Sequence, residues 1–226
     1  MHKFVTEFDF RITTEDVLKG QGIEPGRASQ RLFDVAENVI EQTEALIKPA
    51  AVYALVDVIE FEHRTVRFAQ GSFEGSLVQR SLAGADQFYV AICTIGDALE
   101  KRIDQLMSED PVTAVALDGA GISAVRKVSL TVEDLISKET CALDLSLGMR
   151  AQPGQEGWPI EQQREVFKIL PGEELGVRLT ESCLMIPRKS VSFVIPRGKN
   201  LNDATVPCDF CSKRNRCEWR KEKQIV

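Results

Sequence analysis

Between Asp110 and Ile136 the apolar residues are spaced for one long helix, and two glycines inside it restrict what can pack there. Asp110-Pro111 offers a capping carboxylate followed by a proline at the first helical position, where a missing N–H is harmless. Val115, Ile122, Val125, Val132 and Ile136 then recur at helical spacing. Gly119 and Gly121 interrupt this run. A glycine costs about 1 kcal/mol against alanine in a helix interior. Two of them therefore predict a neighbour that comes too close for a side chain.

Around this helix the periodicity changes twice. Phe4 to Phe10 reads as an opening strand, followed by a short helix capped by Thr13. Leu32, Val35, Ala36, Val39, Ile40 and Ile47 follow helical spacing, with Ser29 as the cap. Ala50 to Phe61 and Thr65 to Ala69 read as paired strands with Glu62-His63-Arg64 near their turn. Gln87 to Cys93 is a further strand, with Phe88, Val90 and Ile92 on one face.

Asp97 with Glu100 has the form of a capping box, before a stripe of Leu99, Ile103, Leu106 and Met107. Gly148 to Trp158 is a loop, and Pro159 opens another helix that Pro171-Gly172 ends. Val177 to Thr180, Cys183 to Ile186 and Ser190 to Ile195 read as short strands. The expected class is α+β, with an antiparallel or mixed sheet and packed helices.

The chain has 226 residues, 43% of them hydrophobic and 27% charged, which suits a soluble globular protein. Its net charge of -6 argues against a nucleic-acid partner. The sign is uneven: Cys208 to Val226 carries six Lys/Arg against three Asp/Glu, so the rest carries -9. No signal sequence or membrane span is visible, so a cytoplasmic location is expected. In that reducing setting the six cysteines favour metal binding over disulfides. Cys93 and Cys141 read as buried apolar thiols, and His2 and His63 as surface residues.

Three motifs could carry chemistry; for the first, the plainer alternative is three tail cysteines that bind nothing. Cys208-Asp-Phe-Cys211 with Cys217 can grip one metal ion or cluster, and Lys213, Arg214 and Arg216 would keep the thiolates ionised. Zinc and iron–sulfur both fit the spacing, and each wants a fourth ligand, for which Cys183 is one candidate. Arg150-Ala-Gln-Pro153-Gly154, followed by Trp158-Pro159, combines a turn that exposes backbone groups with a cation for a carboxylate. A solvated loop explains that segment about as well. Leu175-Gly-Val-Arg-Leu-Thr-Glu181-Ser182-Cys183 sets polar residues between two apolar strands, where Glu181 and Ser182 offer an acceptor and a donor. A tight hairpin is the plainer alternative.

Taken in order, these segments resemble the activation domain of cobalamin-dependent methionine synthase. That family carries an Arg-x-x-Pro-Gly-Tyr segment, a short acidic helix, Leu-Gly-(Val/Met)-x-Leu-Thr-Glu-Ser, then a Pro followed by Ser-Val-Ser. Their counterparts are Arg150 to Gly154, Ile160 to Leu170, Leu175 to Ser182, Pro187 and Ser190 to Ser192. Ala91 to Gly96 and Leu117 to Gly121 look like upstream motifs of the same family. By this resemblance, residues 1–86 form the N-terminal part of the domain and residues 87–200 its core; residues 201–226 follow as a basic, cysteine-rich tail.

The resemblance implies a stand-alone activation protein. It would bind S-adenosylmethionine, dock a cobalamin-binding methyltransferase or other corrinoid protein, and support reductive methylation or reduction of the partner's cofactor, with an electron donor involved. Arg150, Pro153 and Gly154 would contribute first to the ligand site, and Glu181 and Ser182 second. Gln155 departs from the family's Tyr, which removes an aromatic ligand contact. The cysteine tail is a further addition. It could hold an iron–sulfur cluster for electron delivery, or zinc in a docking module without methyl transfer or redox chemistry. A methyltransferase with another acceptor is the third reading.

Overall fold

Three strands alternate large side chains to both sides, and a sheet of that kind has to be covered on both faces. A computed structural model describes residues 1–141, 143, 145–199 and 201. In chain order it contains β1 (Lys3–Val5), α1 (Thr14–Gly20), α2 (Gln30–Asn38), α3 (Ile40–Leu46), β2 (Ala50–Asp57), β3 (Glu60–Glu62), β4 (Thr65–Phe68), β5 (Gly71–Glu74) and α4 (Ser76–Leu82). It continues with β6 (Gln87–Thr94), α5 (Ala98–Leu106), α6 (Pro111–Cys141), β7 (Ser146–Leu147), α7 (Gln163–Ile169), β8 (Arg178–Leu179), β9 (Met185–Ile186) and β10 (Ser190–Gly198).

The main sheet runs β1-β2-β6-β10-β7, and every pairing in it is antiparallel. One face presents Ala51, Tyr53, Ala91, Cys93, Phe193 and Ile195 to α1, α5 and α6. The other presents Val52, Val56, Phe88, Val90, Ile92 and Val194 to a layer that includes Phe73, Leu77, Trp158 and Val166. The class is thus α+β, as expected from sequence. Among the described residues, no helix is long and apolar enough to cross a membrane.

The glycine expectation holds. Gly119 meets α1 so closely that an added methyl would stand 2.7 Å from the Val17 carbonyl and the Gln21 side chain. At Gly121 it would stand 2.9 Å from Leu99 and 3.1 Å from Lys189. The Asp110 cap forms as read, with Oδ1 accepting from the Thr113 N–H at 3.2 Å. Thr13 caps α1 as expected, and Asp16 completes a full capping box with it.

Several expectations need correction. The opening strand stops at Val5. The run from Ala50 to Phe61 divides into β2 and β3, and β3 turns back onto β4 through His63, whose φ is 48. Neither β5 nor α4 was anticipated, because their apolar residues are too few to show a period. Asp97 makes no cap; it pairs with Lys101 at 2.5 Å, while Glu100 accepts from the Arg188 N–H at 2.7 Å. Met107 and Val115 are half exposed. The inner side of α6 is instead built from small residues such as Ala114, Ala120 and Ala124, which bring the helix close to its neighbours. Cys93 is buried as expected, but Cys141 is exposed.

Candidate functional site

The segment before Arg150 follows the outer edge of β10. Leu147 pairs with Arg197 and Ser146 with Gly198, and Ala151 exchanges backbone hydrogen bonds with Val194 at 2.8 and 3.0 Å. Alternation along this extended segment sends the Ala151 side chain into the layer with Trp158 and the Arg150 side chain toward α6. The Arg150 guanidinium carbon lies 4.1 Å from the centre of the Phe193 ring. Its Nη1 donates to Ser129 Oγ at 3.2 Å and to the Glu133 carboxylate. Ser129 and Glu133 are one helical turn apart, so α6 presents both toward the same guanidinium. The side chains of Arg150 and Glu133 are only 24% and 17% exposed, which makes the pair stronger than a surface ion pair.

Cys93 lies close to this pair. Burial pushes its thiol up to about 12, with Glu133 adding to the shift and Arg150 opposing it. The thiol is therefore neutral, and Cys93 is neither a nucleophile nor a ready metal ligand.

Beyond Ala151 the chain turns under the opposite face. Pro153 is buried, whereas Gly154 is exposed with φ +92, a region that suits glycine. Gly154 N–H donates to the Trp158 carbonyl at 2.9 Å, and Trp158 N–H to the Gln155 carbonyl at 2.9 Å. The Gln155 side-chain oxygen turns back to accept from the Gln152 N–H at 2.9 Å. Trp158 is buried against Phe73, with 5.1 Å between ring centres, and its Nε1 donates to Gln162 at 2.9 Å. The Gly157 carbonyl accepts from Leu77 N–H at 3.0 Å, at the start of α4. An open groove of about 470 Å³ runs over Gly154, Gln155, Gly157 and Ser76.

Glu181 and Ser182 sit at the tip of the β8–β9 hairpin, and both are exposed. Thr180 organises the turn: its Oγ1 bonds Ser182 Oγ at 2.9 Å and accepts from Leu184 N–H at 3.0 Å. The Glu181 carbonyl accepts from Arg164 of α7 at 2.7 Å. Cys183 has φ 62 and is buried, with Sγ 3.9 Å from the carbonyls of Glu161 and Glu181. None of the hydrogen bonds or ion pairs of Arg150 reaches Glu181 or Ser182.

Cys208, Cys211 and Cys217 lie outside the described residues. Among the described residues, no group of three metal-ligating side chains comes together. Ser129 and Glu133 are not among the site residues expected from sequence, although their spacing of four on a helix marks a shared polar face. Nor does spacing show that Ser192 donates to buried Gln163 at 2.8 Å and thereby ties β10 to α7.

A crystal structure of the MetH reactivation domain bound to AdoHcy has this architecture, with a TM-score of 0.62 over 89% of this chain and 80% of that one. The fold is that of a reactivation domain. Identity between the two is 14%, so the likeness is one of backbone arrangement. No family model matches the sequence, and no curated protein matches it.

Proposed function

We propose that this protein is an activation protein for a corrinoid-dependent methyltransferase. It docks the cobalamin-bearing partner, binds S-adenosylmethionine and supports reductive methylation of the partner's cofactor. The observation that supports this reading is the fold it shares with a reactivation domain that binds AdoHcy, the demethylated form of S-adenosylmethionine. When bound, S-adenosylmethionine supplies an electrophilic methyl group.

Arg150 is the proposed partner of the ligand's carboxylate. Its guanidinium is already stacked and oriented by Phe193, and a carboxylate would take the place now filled by Glu133. Pro153 and Gly154 are proposed to bring backbone groups close to the ligand, since Gly154 has no side chain to exclude it. Glu181 and Ser182, exposed on the hairpin tip, suit contact with the docked partner as well as with the ligand.

For the tail, Cys208, Cys211 and Cys217 are proposed to bind zinc or an iron–sulfur cluster, the latter to accept an electron from a donor. If Cys183 is the fourth ligand, its thiol must leave the two carbonyls it now faces. A second reading is a docking module without S-adenosylmethionine or redox chemistry. Gln155 favours it, because this side chain closes its own turn where the family has an aromatic residue.

Titration calorimetry with S-adenosylmethionine and AdoHcy, on the wild type and on Arg150→Ala, tests the main reading. Binding by the wild type and loss in the variant are expected. Equal affinity in both would refute the site. Absence of binding, together with capture of a cobalamin-loaded methionine synthase fragment, would select the docking reading. Iron, sulfide and zinc analysis of protein prepared without oxygen separates the two metals, and zinc alone would end the electron-transfer version.

A further inference from the structure

The helix-covered face of the sheet is apolar along most of its length, but it ends in polar groups near the C-terminus of α6. Lys3 on β1, Tyr53 on β2, Tyr89 and Gln87 on β6, and Arg197 on β10 all project there, with Glu139 of α6 above them. They line a cavity of about 600 Å³, within the usual range for small-ligand sites. Leu55, Leu143 and Met1 supply its apolar wall.

Two cationic side chains, Lys3 and Arg197, and two carboxylates, Glu139 and Asp57, line this cavity, but among them only Lys3 and Glu139 form an ion pair. Glu139 accepts from Lys3 Nζ at 2.7 Å and from the Tyr53 hydroxyl at 2.6 Å, so it already has its cation. Arg197 is different. It is 8% exposed, and its two hydrogen bonds go to neutral groups: Nη1 to the Tyr89 hydroxyl at 3.1 Å, and Nη2 to the Gln87 side-chain oxygen. Its Nε is buried without a hydrogen-bond partner. Guanidinium does not shed its proton in proteins, so Arg197 stays charged. A buried charge without a counter-ion is destabilising, and folds normally supply one. Among the described residues no carboxylate is in ion-pair contact with Arg197, since Asp57 reaches it only through the Gln87 amide, and the fork of Nε and Nη2 has the geometry that grips two carboxylate oxygens side by side.

We propose that this cavity is a second ligand site, in which Arg197 binds the carboxylate of a small organic acid. The acid's two oxygens take Nε and Nη2 and displace the Gln87 amide, which is already held on its other side by Asp57 at 2.6 Å. Its body lies against Leu55, Leu143 and the Tyr89 ring. The site is separate from the Arg150 position: Arg197 is four residues beyond Phe193, or about 13 Å along an extended strand.

Benzoate is the first probe and inorganic phosphate the second, each followed by the Arg197 Nε–H resonance of the ¹⁵N-labelled full chain. Saturable one-to-one binding of benzoate is expected, with a downfield shift of that resonance and no change when AdoHcy is present at saturation. Arg197→Lys, which keeps the charge and loses the fork, should weaken benzoate by about tenfold or more. Should that variant fail to fold, the wild-type resonance still decides. Phosphate binding without benzoate binding would overturn the carboxylate assignment. Absence of saturation by either probe would overturn the site. Displacement of benzoate by AdoHcy would show that the two sites are one, and loss of AdoHcy binding in Arg150→Ala alone would leave this proposal standing.

Discussion

Asp16 shows how much one side chain can hold. It closes the capping box of α1 by accepting from Thr13 N–H at 2.9 Å, and it pairs with Lys127 of α6 at 3.0 Å. Burial raises its pKa, but the bonds from Lys127 and Thr13 outweigh that and leave it below the ordinary 3.8. A carboxylate depressed in the folded state contributes stability above its unfolded pKa and loses it as pH falls through the folded one. Asp16→Asn should therefore lower stability at neutral pH and flatten the acid limb of the stability curve below about pH 4. Urea denaturation at a series of pH values measures this. An unchanged acid limb would mean that other carboxylates dominate. The box was half legible in the sequence, since Thr13 was picked out as a cap, but Lys127 lies too far along the chain for spacing to reveal. Arg150 follows the same rule. Its residue type suggested a ligand for a carboxylate, and the fold gave it Glu133.

At the level of elements, the crossing of α1 and α6 depends on two glycines. Gly20 and Gly119 face each other so that a methyl on Gly20 would overlap the Gly119 carbonyl. Gly119→Ala must push the helices apart, and should destabilise the protein by on the order of 2–3 kcal/mol, despite alanine's better helix propensity. The sign is the informative part. A stabilised Gly119→Ala, read from the urea midpoint, would show that the crossing has room for a methyl group. Long elements such as α6 and β6 were readable because their apolar residues repeat many times. Short ones were not. The helix expected from Leu32 to Ile47 breaks at Val39, whose carbonyl accepts both N–H and Oγ1 of Thr43 at 2.9 and 2.7 Å. Asp97 and Glu100 had the right spacing for a box and were taken by Lys101 and Arg188 instead.

For the whole molecule, one sheet contributes side chains to two apolar layers, one on each face. Leu117 is buried in the first layer and Phe88 in the second. Leu117→Ala and Phe88→Ala should each cost about 2–5 kcal/mol, and both should shift a single unfolding transition. Far-ultraviolet circular dichroism and Trp158 fluorescence, followed in a Trp219→Phe background, would agree in that case. Two separated midpoints would mean that the layers unfold independently.

The sequence by itself determined the α+β class, the long glycine-bearing helix, the strand with Phe88, Val90 and Ile92 on one face, and the resemblance to a reactivation domain. These are properties of repeated local patterns, and their energies add along the chain. Only the tertiary structure decided which charges meet. It set Arg150 against Phe193 and Glu133, placed Glu181 and Ser182 on an exposed hairpin tip, and left Arg197 buried with no carboxylate in ion-pair contact among the described residues. Such pairings join residues that are 17 to more than 100 positions apart. Their strength depends on distance and burial, and neither of these is set by local sequence.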